Sequence, residues 1–488
     1  MPIPHHKSQA KAESVTPLPD SDQDSSLGLK QVFRRWDLIS LSVSSVGPMF
    51  SVAATGGVMA AQAGWYTIPA IFLISIPFLI SGFSFRLLNY HFPHSGASYH
   101  WSAKVLGKGI SRFQAWVLIL AYFASIPPII IPASSYTLSL IAPHYVPTTS
   151  AELAASAFWV LFAAIPLLGG GRPTARITQV FLLIEMISLL GFTIIGIIRW
   201  PQIHVPIHFG PVPVGGILVV AVVAATILDG WEIDSYASEE AQRPRNDPGV
   251  GGIIGAFMAL GFYAILYPLM MGETPLNLLA NATNPLAIWS DRLIPQAPWI
   301  MLIPVLASTA GGLWLTSFIL TRALYAMGRE GIVPSPFAKL SNRQVPHVAI
   351  IIILGMAFTV TGLQTIFSSL SSFFSLVLSG AGFFLVVEFF LDSLTASVFL
   401  TTGHRKLADF QMSPHAHSAL LVGSIISATM FGGLIVAFFI YGPKIIGSSI
   451  DKILLVLLAL GVVFSWLKRR NGDQVEFAGK DITTPNDL

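Results

Sequence analysis

The segment Thr226-Ile-Leu-Asp-Gly-Trp-Glu-Ile-Asp-Ser-Tyr-Ala-Ser-Glu-Glu240 carries five carboxylates, and the seventeen residues from Val212 to Leu228 that run into it hold no charge at all. A carboxylate at the end of such a run persists by facing water, a cation or a polar partner. Its chemistry is then the binding of a cation or a polar partner. The plain alternative is a helix that stops at Leu228, with 229–248 as an ordinary loop. Against it, Ile233 to Gln242 has helix-forming character and sets Glu239 four residues before Arg243, a favourable helical pair. Ten helical residues cover about 15 Å, half of a hydrocarbon core, so this spacing predicts Asp229 and Gly230 near a membrane midplane.

Other residues have types that could do chemistry. Glu185 lies inside an apolar stretch with no other charge near it in sequence, as a proton carrier requires, or as a protonated structural group. Ser308 and Thr309 are adjacent hydroxyls that could help hold sodium, because hard cations take oxygen ligands; the alternative is that they bond carbonyls of their own helix. Glu388 and Asp392 are one helical turn apart, a spacing open to a paired acid and base. No nucleophile or metal set accompanies them, and Asp392 is expected to face a cytoplasmic vestibule. His91, His94 and His100 resemble a metal cluster only by count; they fall in a polar loop and are expected to be solvated. Gly169-Gly-Gly171 lacks the Lys-Ser/Thr of a phosphate loop and reads as a turn, while Asn281-Ala-Thr283 is a glycosylation sequon. The absence of cysteine excludes disulfides, thiolate metal sites and cysteine nucleophiles.

The elements that must position these residues are membrane helices. The 488 residues are 53% hydrophobic and 10% charged, with mean hydropathy +0.70, well below the roughly 25% charge of soluble domains. Basic residues are scattered in short groups, which argues against a nucleic-acid-binding stripe. Runs of about 20 apolar residues number twelve, near 37–61, 65–89, 112–141, 151–169, 175–199, 213–241, 249–271, 298–327, 347–365, 369–401, 416–441 and 449–467. With both termini cytoplasmic, only Arg199, Arg292, Lys444 and Lys452 of 27 basic residues fall on the outer side, a positive-inside asymmetry that a miscounted helix would scramble. Residues 1–30 and 469–488 read as polar cytoplasmic tails, and 31–468 as the transmembrane domain. Helix 1 is interrupted at Gly47-Pro48 and helix 6 at Asp229-Gly-Trp-Glu232. Breaks in the first helix of each half point to an inverted repeat, helices 1–5 (37–199) and 6–10 (213–401), with helices 11 and 12 (416–467) appended, and to a binding site at the midplane.

Four motifs resemble the amino acid-polyamine-organocation superfamily of permeases. They are Gly47-Pro-Met-Phe-Ser51 with Gly56-Gly57; Phe92-Pro-His-Ser-Gly-Ala-Ser-Tyr99 with Gly107 and Trp116; Gly230-Trp-Glu232 with Ser238-Glu-Glu240 and Arg243-Pro-Arg-Asn246; and Thr321-Arg-Ala-Leu-Tyr-Ala-Met-Gly-Arg-Glu-Gly331 with Pro334 and Pro346. One departure is that Pro48 follows Gly47 and Met49 takes the place of a second glycine. The resemblance implies an all-α integral membrane transporter of the plasma membrane, working by alternating access on an amino acid or amine. It implies that the backbone of Val46, Gly47, Pro48, Met49 and Phe50 holds the substrate carboxylate. The carbonyls of Ile227, Leu228, Asp229 and Gly230 would receive the ammonium; the Asp229 carboxylate is not a residue the family pattern requires, and by its own position at the break it would add a full negative charge. Trp231 is then a candidate lid or cation-π surface, with packing inside the bundle the commoner role of such an aromatic; Glu232, Tyr122 and Phe373 are gating or structural candidates, and Glu185 is the first choice for proton coupling. No cofactor is implied beyond a coupling proton or, as rival, sodium at Ser308 and Thr309. Polyamine or organic-cation transport, amino acid exchange, a membrane enzyme and a non-transporting nutrient sensor are the competing functions.

Overall fold

The computed structural model describes residues 28–143, 147–366, 370–407, 410–445 and 450–470. Most of both expected tails, 1–27 and 471–488, lies outside them. Among the described residues there is no strand, only an isolated bridge between Phe33 and Ala241. The chain is otherwise helical, as an apolar solvent demands, since helices satisfy their backbone groups internally.

In chain order the helices are α1 (Arg35–Val46), α2 (Pro48–Ala63), α3 (Thr67–His91), α4 (Ala97–Val105), α5 (Lys108–Ser125), α6 (Pro127–Ile141), α7 (Thr149–Gly169), α8 (Gly171–Ile203) and α9 (Val214–Leu228). Then follow α10 (Ile233–Tyr236), α11 (Val250–Glu273), α12 (Leu276–Ala280), α13 (Pro285–Leu293), α14 (Leu302–Arg329), α15 (His347–Gly362), α16 (Leu370–Thr401), α17 (Pro414–Ile445) and α18 (Ile450–Arg470). Ten stretches of these are long and apolar enough to cross a membrane, the first of them, Arg35–His91, taking in α1, α2 and α3. α9 is apolar but shorter.

Side-chain periodicity decides which faces meet. α8 buries Thr174, Thr178, Glu185, Leu189, Phe192 and Gly196 along one stripe, while Leu183, Ile187, Leu190, Ile194 and Ile198 on the opposite side are exposed. An apolar face turned outward in this way suits lipid. α14 is buried nearly all round and forms the centre of the bundle, packed against α1, α2, α5, α6 and α8.

Two departures from the sequence reading concern the site. The expected helix Ile233–Gln242 is only the four-residue α10 followed by a 3-10 turn, Ser238–Glu240. Its chain is pinned instead by non-helical bonds: Val32 N and Phe33 N both donate to Glu240 O, and Gln242 N donates to Phe33 O. The segment 112–141, expected as one helix, bends where Pro127 and Pro128 follow Ile126, because proline removes the amide needed to continue the ladder.

Candidate functional site

The break between α1 and α2 is built on Gly47. Its φ of 53° ends α1 in the left-handed region and starts α2 in one residue, and Pro48 at the first position of α2 has no amide to waste. The N-terminal amides that remain are all used. Met49 N donates to Glu185 Oε1 at 3.0 Å and Phe50 N to Ser308 Oγ at 3.0 Å. Gly47 N donates to Ser44 O and Ser51 N to Gly47 O. Glu185 is therefore not partnerless, as its sequence surroundings suggest; it is buried against the positive end of α2. Val46 to Phe50, expected to present amides to a substrate carboxylate, present none that is free in this conformation. Ser308 stands beside the Glu185 carboxyl, and Thr309 Oγ1 donates to Val305 O of its own helix.

The second break lies between α9 and α10. Asp229 leaves α9 in extended backbone, and Gly230 follows at φ 94°. A Cβ on Gly230 would lie 2.8 Å from Ser45 O, so only glycine allows the two breaks to touch. Glu232 Oε1 accepts from Gly230 N at 3.0 Å and from Tyr122 Oη at 2.8 Å. The carbonyl of Ile227 accepts from Tyr263 Oη and that of Leu228 from Trp231 Nε1.

Between the breaks is a narrow cavity enclosing about 600 Å³ including its mouth, lined by Ser45, Phe50, Thr55, Tyr122, Asp229 and Thr316 among others. Asp229 is the one charged side chain among the described residues that line it. Val46, Ile227 and Gly230 also reach the lining, whereas Met49, Leu228, Glu185, Ser308 and Thr309 stand behind it.

Several assignments change. Trp231 does not face the cavity: it is fully buried and packs on Phe85 and Phe389, over Gly252 and Gly255, because its indole bond to Leu228 turns the ring away. Phe373 is buried, and its neighbour Phe374 lines the cavity instead. Glu239 pairs not with Arg243 but with Arg329 Nη2, at 2.6 Å, while Glu240 pairs with Arg322 Nε at 2.7 Å. His94 and His100 are buried and stacked, with ring centroids 3.9 Å apart, beside Glu330. Glu388 and Asp392 are both about 1% exposed rather than open to a vestibule. The ion pairs had a sequence signal, since Arg322 and Arg329 are two turns apart on one face of α14 and face the adjacent Glu239 and Glu240. Nothing in the sequence placed Tyr236 or Gln114.

A helical membrane protein with two interrupted helices around a narrow, acid-bearing cavity has the architecture of a carrier. The family described as amino acid permease matches residues 33–464, and the chain belongs to it, within the amino acid-polyamine-organocation superfamily. Among similar proteins, the branched-chain amino acid permease BcaP of Lactococcus lactis subsp. cremoris is 24% identical over 351 residues, 66% of this chain and 74% of the relative. The methylthioribose transporter of Bacillus subtilis is 25% identical, over 66% of this chain and 72% of the relative. Cationic amino acid transporter 2, vacuolar, of Arabidopsis thaliana is 22% identical, over 56% and 47%.

Proposed function

We propose that the protein is a secondary active transporter that moves amino acids across the plasma membrane by alternating access, coupled to protons through Glu185. In this reading the chain crosses twelve times with both termini cytoplasmic: α1 with α2 forms one crossing, α9 with α10 another, and helices 1–5 and 6–10 form an inverted repeat. The single observation that carries the coupling is the bond from Met49 N to Glu185 Oε1.

Its consequence follows from charge. An ionised Glu185 caps the positive end of α2 through a charge-assisted hydrogen bond, and so competes with a substrate carboxylate for the same amide. A proton on Glu185 weakens that cap and leaves the amide to the substrate. Proton and substrate then favour each other's binding, and by linkage the effect is reciprocal. At the other break Asp229 takes the substrate ammonium, supported by its place as the charged group of the lining. Sodium coupling has less support, because the hydroxyls of Ser308 and Thr309 are engaged with Phe50 N and Val305 O.

The test is uptake of radiolabelled leucine and arginine into proteoliposomes, under an imposed pH gradient or an imposed sodium gradient. Accumulation with the pH gradient alone is expected. Accumulation that follows sodium would overturn the coupling, and failure of both probes and of unlabelled amine competitors would remove the amino acid reading.

A further inference from the structure

Beyond Asp229 the interior holds acids that substrate binding does not use. Glu232, at the start of α10, and Glu388 and Asp392, on α16, are buried to within about 1%. Hydroxyls and an amide hold them in two groups, Glu232 at Tyr122, and Glu388 with Asp392 at Tyr236, Ser98 and Gln114. Tyr122 Oη donates to Glu232 Oε1 at 2.8 Å, and the Tyr122 and Tyr236 rings meet edge to face at 5.7 Å. Tyr236 Oη donates to Glu388 Oε1 at 2.8 Å and lies 3.1 Å from Ser98 Oγ. Ser98 Oγ donates to Asp392 Oδ2 at 3.0 Å, and Gln114 Nε2 to Asp392 Oδ1 at 2.7 Å.

No Lys, Arg or His among the described residues pairs with any of these acids. Arg322 and Arg329 are engaged with Glu240 and Glu239. Arg112, two residues before Gln114, is buried with Nε and Nη2 unbonded. Asp234 faces the other way and accepts from the amides of Gly249 and Gly252. The charges facing Glu388 are those of Asp392, Glu232 and Asp229, and the charge facing Asp392 is that of Glu232. Glu232 Oε2, Glu388 Oε2 and Gln114 Oε1 remain buried without a hydrogen-bond partner. Several carboxylates this close cannot all stay ionised in an apolar interior, because like charges and desolvation both oppose it.

We propose that Glu388 and Asp392, with Glu232 nearby, form a proton-binding site separate from Glu185, which passes a proton between the two acids at the end of the bundle that carries α4. Tyr236 and Ser98 are the relaying hydroxyls. A proton that arrives on Glu388 Oε1 turns the Tyr236 hydroxyl from Glu388 toward Ser98 Oγ. Glu388 then gives that proton to Tyr236 Oη as Tyr236 gives its own to Ser98 and Ser98 gives its own to Asp392 Oδ2, so one proton moves from Glu388 to Asp392 and each hydroxyl ends with the one it began with. Ser98 and the start of α4 lie close to His94 and His100, at the end of the bundle where Glu239 and Arg329 pair. The site rests on the transporter reading only for the use made of its protons.

The test reads the site without substrate. Full-length protein in liposomes is titrated from acid to alkaline pH by infrared difference spectroscopy of the carbonyl band of protonated carboxyls. Glu388→Gln and Asp392→Asn are each expected to remove one carboxyl's share of that band, whereas Glu185→Gln removes a different share. Tyr236→Phe keeps the packing and is expected to shift the titration of the remaining band, which keeps the proposal open to refutation if the acid variants do not fold. A band that Glu388→Gln, Asp392→Asn and Tyr236→Phe all leave unchanged would overturn the site. So would a band that sodium erases at constant pH, because the occupant would then be a metal cation. Absence of amino acid uptake does not alter this readout, so the two proposals fail separately.

Discussion

The two helix breaks share a device and differ in where it comes from. In each, a carboxyl accepts a hydrogen bond from an amide that the interruption leaves over: Glu185 from Met49 N, and Glu232 from Gly230 N. Glu232 is two residues from its donor, so its bond belongs to the local backbone and forms wherever the chain turns in this way. Glu185 comes from α8, 136 residues away in sequence. It can leave without unwinding anything. The Glu232 bond is thus tied to the turn itself, while the Glu185 bond spans two separate helices, and the proposed coupling uses that difference.

Substitutions at the breaks sharpen the contrast. The largest effect is expected for Gly230→Ala, where a Cβ meets Ser45 O at 2.8 Å on a backbone with φ 94°. Strain and overlap together should cost about 3 kcal/mol or more, read as loss of the monodisperse, thermally stable protein. Asp229→Asn should weaken binding of cationic and zwitterionic substrates roughly 10- to 100-fold, the worth of about 1.5–3 kcal/mol for a charge-assisted bond, with stability unchanged; equal affinity in a competition assay would remove Asp229 from the site. Gly47→Ala should be milder than Gly230→Ala. Its φ of 53° is ordinary left-handed geometry, and the new methyl meets Ser308 Oγ at 3.3 Å with Ser308 O and Phe50 Cβ at ordinary contact distances, so about 1–2 kcal/mol of thermal stability is at stake. If the two alanines prove equal, the breaks are not as different as their contacts indicate. Ser308→Ala should be smallest, about 1 kcal/mol for one hydrogen bond to Phe50 N, seen as a modest shift in melting with proton-driven uptake retained.

Much of this was legible in the sequence for a physical reason. Apolar runs long enough to cross a bilayer leave a composition signal that tertiary contacts cannot hide, and Gly47-Pro48 and Asp229-Gly230 interrupt two of them with residues that cannot continue a helix or do not belong in lipid. What was not legible depends on rotation and on distance along the chain. Ile233–Gln242 had the composition of a helix but is held by Phe33 and Arg322, far away in sequence. Of the two roles the sequence leaves open for Trp231, the structure has the commoner one, packing against Phe85 of α3 and Phe389 of α16. Glu185 looked alone because its partner, Met49 N, is a backbone group on a different helix.

The central claim, that Glu185 and the substrate share the start of α2, is tested most directly by Glu185→Gln in proteoliposomes. Leucine counterflow without a pH gradient is compared with accumulation driven by one, in wild type and variant. The expected result is that counterflow persists while proton-driven accumulation disappears, because a glutamine at 185 cannot cycle a proton at Met49. Full proton-driven accumulation by the variant would contradict it.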